Sequence, residues 1–304
     1  MDKIEMNEWC LAFVFGEIRD DNSEQRTVIK ILETTCRESV ESDKRLVSDY
    51  YNSLKLIRSV QANIQNFLEA VVHYADDFLK TQSMDEEKFD AISLNFSRLL
   101  LNILSMFRSL IDHSDFSLSR SFGKEAEQYK AWKLSQSEQY DSLFEYRLFY
   151  KLRNYCQHVG MPPMSISFST SASEPGVSLR LDLSRDKLLE EKSSWNSQLI
   201  SDLMACEEKI PVLDSLMKWG ESFRALSNSL LDIKRTSALE AAHRIAGHRE
   251  RLGLPNDAGQ LCIMPHPGNN IDQASLKLML HWLPEEKAKK LISGKSLFET
   301  EANA

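Results

Sequence analysis

Proline and glycine are scarce in the first half of this 304-residue chain. No proline precedes Pro162, and the only glycines before Gly160 are Gly16 and Gly123. Without these breakers, the first half is expected to form long helices. Long apolar runs are also missing. The longest, Leu99–Phe107, is interrupted by Asn102 and Ser105 and is too short to span a bilayer. No basic segment and small-residue cleavage site open the chain, so no signal peptide is read. No membrane partner is expected.

The five cysteines, at 10, 36, 156, 206 and 262, include no C-x-x-C pair. That usage argues against a disulfide framework or a zinc knuckle and fits a reducing, cytoplasmic setting. A net charge of −8 argues against a general nucleic-acid coat protein, which must neutralise many phosphates. It leaves room for a nuclease with a local basic patch. No Walker loop, dinucleotide fingerprint or G-x-S-x-G elbow occurs.

The periodicity predicts helices near 3–16, 22–38 and 40–80. Another follows from Met84-Asp85-Glu86-Glu87, whose acids suit a helix N-terminus. A connecting stretch, partly helical, covers 114–135, and a core helix runs over 137–159. Residues 164–183 alternate apolar and polar around Ser173-Glu174-Pro175-Gly176, which predicts a β-hairpin. Helices resume over 186–205 and 207–232, with Pro211 in a first turn. A basic, alanine-rich helix covers 236–251, and a last helix covers 272–282. The expected architecture is mainly α: a helical bundle with a small β-hairpin insertion and a helical C-terminal part. Its expected domains are 1–235 and 236–304.

The stretch Lys151–Pro163, "KLRNYCQHVGMPP", carries the chemistry. Projected at about 100° per residue, Leu148, Phe149, Leu152, Tyr155, Cys156 and Val159 form an apolar face. Tyr146, Arg147, Tyr150, Lys151, Arg153, Asn154, Gln157 and His158 form the other. That second face has no acid after Glu145. A basic, aromatic, amide-bearing surface on an acidic protein suits RNA. Arg147, Tyr150 and Lys151 are the expected RNA contacts. Asn154 and His158 share a stripe, whereas Arg153 lies about 140° from His158. Two helices about a two-fold axis aim both groups at one atom more readily than one helix does. His158 also occupies the last turn, where the macrodipole favours its cationic form and Gly160 is placed for a C′ cap.

Arg153-Asn154-x-x-x-His158, followed by Gly160 and Pro162, resembles the HEPN family (higher eukaryotes and prokaryotes nucleotide-binding). The similarity covers the helices from about 50 to 160. It implies a helical bundle, and often a metal-independent endoribonuclease of a defence or toxin system, acting as a homodimer. His158 would be the general base or acid, Arg153 would stabilise phosphoryl charge, and Asn154 would orient one of them. Cleavage would proceed by 2′-OH attack to a 2′,3′-cyclic phosphate, with no metal or cofactor. Gly160 stands where a subset of the family carries a tyrosine that its antitoxins modify, so that scheme is not supported. Some antitoxin or regulatory protein stays open as a partner. The alternative to a nuclease is a non-catalytic module of the same fold that binds RNA or protein. A third reading is a plain bundle in which Arg153 is merely salt-bridged.

A second spacing match, Arg108 to His113, reads either as chance or as a second shell of Arg108, Asp112 or His113 beside His158. His243 and His248, five apart, fit a solvated basic helix better than a metal pair. Cys262 and His266 fit a surface loop. Cys156 fits a buried hydrophobe better than a nucleophile. Tyr50, Tyr51, Phe67 and Phe78 fit core positions better than stacking platforms.

Overall fold

The computed structural model describes residues 8–18, 25–170, 176–256, 258–267 and 279–294. In chain order the elements are β1 (Trp9–Ile18), β2 (Gln25–Thr35), α1 (Arg37–Thr81), α2 (Glu86–Phe122), α3 (Glu127–Ser142) and α4 (Phe144–His158). Then come β3 (Met164–Thr170), β4 (Val177–Ser184), α5 (Arg185–Glu190), α6 (Ser197–Ala205) and β5 (Lys209–Pro211). The chain continues through α7 (Val212–Arg251), β6 (Gln260–Pro265), β7 (His281–Trp282) and α8 (Glu285–Ser293). The described residues are mainly helical, with two small antiparallel sheets. No helix among the described residues is long and apolar enough to cross a membrane.

The chain divides into two compact units, Ser53–Ile233 and the pair Met1–Asn52 with Lys234–Ala304. The first 52 residues therefore belong with the C-terminal segment rather than with the central helices. Both α1 and α7 contribute residues to each unit.

The central unit holds the large core. Leu100, Ile103, Leu104 and Phe107 of α2 meet Leu148, Phe149 and Leu152 of α4, all almost fully buried. Trp219 of α7 stacks on Phe223 at 5.6 Å and meets the Phe107 ring edge-on at 5.0 Å. The start of α2 follows the sequence reading: the Asp85 side chain accepts from Lys88 N at 2.8 Å, ahead of Glu86 and Glu87. The helix then runs to Phe122, so most of the expected connecting stretch is helical. The expected single helix over 137–159 is instead two, parted at Leu143, whose backbone is extended (φ −124°, ψ 122°).

The β-hairpin is where alternation placed it. Met164 pairs with Leu183, and Thr170 with Val177. Most of its expected turn lies outside the described residues. Residues 209–211 add a third strand, so Pro211 closes β5 instead of opening a helical turn. From Val212 to Arg251 α7 is continuous, merging two expected helices.

The other unit overturns the reading of the N-terminus. Residues expected as helices near 3–16 and 22–38 form β1 and β2, paired from Trp9↔Thr35 to Ile18↔Gln25 with a register shift at Leu11/Ala12. The sheet order is β2-β1-β6-β7. Cys10, Leu11, Ala12 and Phe13 are all buried, as are Leu261 to Met264 of β6. Both faces of these central strands are covered, so the polar–apolar alternation that marks a strand is absent. Cys262 is a core residue of β6, not part of a surface loop. Of the helix expected over 272–282, residues 272–278 lie outside the described set and His281–Trp282 is a strand.

In this unit the basic end of α7 is not simply solvated. Arg249 grips the buried Glu285 at 2.7 and 3.0 Å and donates to the Ala258 and Gly259 carbonyls. Glu285 in turn accepts from Leu261 N at 2.8 Å, tying α8 to β6. Arg244 holds Asp43 of α1 in a two-pronged pair at 2.8–3.1 Å. Arg251 pairs with Glu33 of β2.

Candidate functional site

The apolar face of α4 anchors the motif. Leu148, Phe149 and Leu152 enter the core, and Tyr155 stacks on Trp195 with ring centroids 5.3 Å apart. The Tyr155 carbonyl then accepts from both Val159 N (2.8 Å) and Gly160 N (3.3 Å), which ends the helix. Gly160 is not among the glycines at positive φ, so the expected left-handed cap is not formed.

This anchoring leaves the motif outward. Asn154, Gln157 and His158 are exposed, and Arg153 is half-buried. The Nη1 of Arg153 donates to the Asn154 side-chain oxygen at 3.3 Å. Its Nε is enclosed and has no acceptor. Among the described residues Arg153 forms no ion pair, whereas Arg147, Arg185, Arg244 and Arg249 each hold a carboxylate. A guanidinium without a carboxylate keeps its net charge for an outside anion. His158 likewise has no hydrogen bond or ion pair among the described residues, and none joins it to Arg153. Val159 (43% exposed) and Met161 (48% exposed) place an apolar pair just beyond His158. Helical projection places Val159 on the core face, but the residue is exposed. It follows the last helical residue, where helical projection no longer applies.

Two expected members of the polar face are structural. Tyr146 is 1% exposed and Arg147 is 6% exposed. Arg147 donates Nε to Asp202 at 2.8 Å and Nη1 to the Tyr140 and Asp141 carbonyls at 2.7 and 3.0 Å. These are last-turn carbonyls of α3, a helix with no basic residue of its own there. Arg147 therefore caps α3 and balances its dipole, and is enclosed where an RNA contact must be open. Lys151 remains at the half-exposed surface.

Tyr150 is half-buried and is joined by Arg108. The Arg108 guanidinium donates to the Tyr150 hydroxyl and lies 5.0 Å from its ring centroid. Arg108 also pairs with Asp112, one turn on, at 2.9 and 3.0 Å. The structure thus brings Arg108 to the N-terminal end of the motif stripe, near Tyr150. No bond carries it to His158, and His113 is exposed on α2 without one. The sequence reading missed Tyr140 of α3, which meets Tyr150 edge-on at 5.9 Å and accepts from Asn196 at 2.9 Å. No local signal in α3 marks it, because the contact depends on the break at Leu143.

Cys156 sits within the motif but turns inward. Burial pushes its thiol up to about 12, so it stays protonated and inert near neutral pH. Among the described residues no group of three His, Cys, Asp or Glu side chains could hold a metal ion. No family model matches the chain, and neither a curated protein nor a solved structure matches it.

Proposed function

We propose that the chain is a HEPN-type endoribonuclease whose working groups are Arg153, Asn154 and His158. The reading rests on the sequence resemblance and on one structural observation. Arg153 has no carboxylate partner among the described residues, whereas Arg147 on the same helix is paired with Asp202. In the plain-bundle reading Arg153 would be salt-bridged. In a nuclease it must be free to meet a phosphate.

The chemistry follows from the side chains. An unpaired imidazole at the surface can take the proton of a ribose 2′-OH. The freed oxygen attacks the adjacent phosphorus, and the P–O5′ bond breaks. The leaving oxygen takes a proton from an imidazolium, either the same one or that of a second copy. Arg153 neutralises the charge that grows on the non-bridging oxygens. The products are a 2′,3′-cyclic phosphate and a 5′-OH, and no metal is consumed in the balance. A homodimer would bring Arg153 of one copy toward His158 of the other. Its setting would be a cytoplasmic defence or stress response, with an antitoxin or other regulatory protein still open as a partner.

The test is cleavage of single-stranded RNA in EDTA by wild type, His158→Ala and Arg153→Ala. Cutting by wild type alone supports the reading; equal cutting by either variant removes that residue from the site. Binding without cleavage is the second reading. It is favoured by the lack of any bond between Arg153 and His158 among the described residues, and it predicts RNA retention by both wild type and His158→Ala.

A further inference from the structure

A groove of about 450 Å³ runs along α1 and α7 within the central unit. We propose that it binds a small amphipathic anion, a carboxylate on an extended alkyl chain. Its volume lies within the range of small-molecule sites, which commonly form between the helices of bundles.

The lining divides by chemistry. Ile57, Leu216 and Phe223 make a buried apolar floor, and the half-buried Leu54 and Leu231 prolong it. Along α1 the groove extends from Leu54 to Leu68, roughly 20 Å at the helical rise. That length fits a chain better than a compact ring. The rim is polar and exposed: Gln61 and Asn228 offer amides, and Arg224 offers a guanidinium. No carboxylate lines the groove. The α1 segment from Tyr50 to Leu68 contains no Asp or Glu at all, in a chain of net charge −8. A cationic rim over an apolar floor is complementary to an anionic head on an alkyl body.

Gly220 shapes the α7 wall of the groove. It lies inside a 40-residue helix, where glycine is unfavourable by about 1 kcal/mol relative to alanine. It lines the groove, and a Cβ built on it meets nothing within 4 Å. Packing within the chain does not require glycine there. Its missing side chain leaves the groove open along α7.

The experiment is calorimetric titration of the full chain with decanoate and with the neutral decanol. Wild type is compared with Gly220→Leu, which fills the groove, and Arg224→Gln, which removes one of the two arginines, Arg58 and Arg224, that line it. Arg98→Gln, on α2 outside the groove, is the control. Decanoate is expected to bind one saturable site, about ten-fold more weakly in each groove variant and unchanged in the control. Circular dichroism establishes that Gly220→Leu is folded; if it is not, Asn228→Trp obstructs the groove from its rim instead. Absence of a saturable site overturns the proposal, as does binding that ignores both groove variants. Decanol binding as tightly as decanoate overturns the anionic head.

Discussion

Arg153 donates to the side chain of Asn154, its neighbour in the chain, at 3.3 Å, and meets no carboxylate among the described residues. Six residues earlier on the same helix, Arg147 has Asp202 and two carbonyls. The contrast separates an arginine that builds the fold from one held in reserve, and it yields opposite expectations for their removal.

Arg147→Ala is expected to destabilise the protein by about 3 kcal/mol, because it strands Asp202 and uncaps α3. Arg153→Ala has no internal partner carboxylate to strand, so its effect is expected within about 0.5 kcal/mol. Urea denaturation of the two variants distinguishes them. A larger loss for Arg153→Ala would mean that this residue is structural.

Arg249→Leu should cost more than Arg244→Ala. Arg249 and Glu285 are both nearly enclosed, whereas Arg244 is half in solvent. The first change leaves a buried carboxylate unpaired, at about 3–5 kcal/mol. The second also strands a buried carboxylate, Asp43, but the guanidinium lost is half in solvent and water can take its place, so the cost is expected to be smaller, about 1–3 kcal/mol. Hydrogen exchange at Leu261, whose amide bonds to Glu285, should accelerate in Arg249→Leu.

Lys234 is buried, and burial pulls its ammonium down to about 8 from the ordinary 10.5. Between these values the unfolded chain holds the proton that the folded chain has lost. Its contribution to stability therefore rises with pH across that window, by on the order of 3 kcal/mol. Burial of Cys156 and Cys262, pushed up to about 12 and about 11, acts in the opposite sense above the ordinary thiol value of 9.0. Comparison with Lys234→Met isolates the lysine. Wild type should gain on the variant as pH rises through the window, and parallel curves would refute the shift.

Iodoacetamide should modify the exposed Cys36 well before Cys156, and Cys10 and Cys262 last. Cys156→Ser should keep any RNA cleavage. Rapid labelling of Cys156, or loss of activity in that variant, would reopen it as a nucleophile.

The helices were legible in the sequence because proline and glycine are missing before residue 160, and the β3–β4 hairpin because Met164–Leu183 alternates. The N-terminal strands were hidden by burial on both faces of Cys10–Phe13. A better signal was present: β-branched Thr27, Val28, Ile29 and Ile31 favour a strand, and Asp20-Asp21-Asn22-Ser23 between the two runs favours a turn. At the site, periodicity correctly turned Asn154 and His158 outward. It could not foresee that the carbonyl end of α3 lies over Arg147, since that depends on a helix break with no glycine or proline to mark it.

The chemistry of the RNA ends tests the roles of His158 and Arg153. Wild-type protein is incubated in EDTA with an RNA and with the same strand carrying a 2′-deoxy nucleotide at the cut position. Attack by the 2′-OH gives 2′,3′-cyclic phosphate and 5′-OH ends from the first, and no cutting at that position in the second. Cutting of the deoxy strand, or 5′-phosphate products, would contradict attack by the 2′-OH and the roles given to His158 and Arg153.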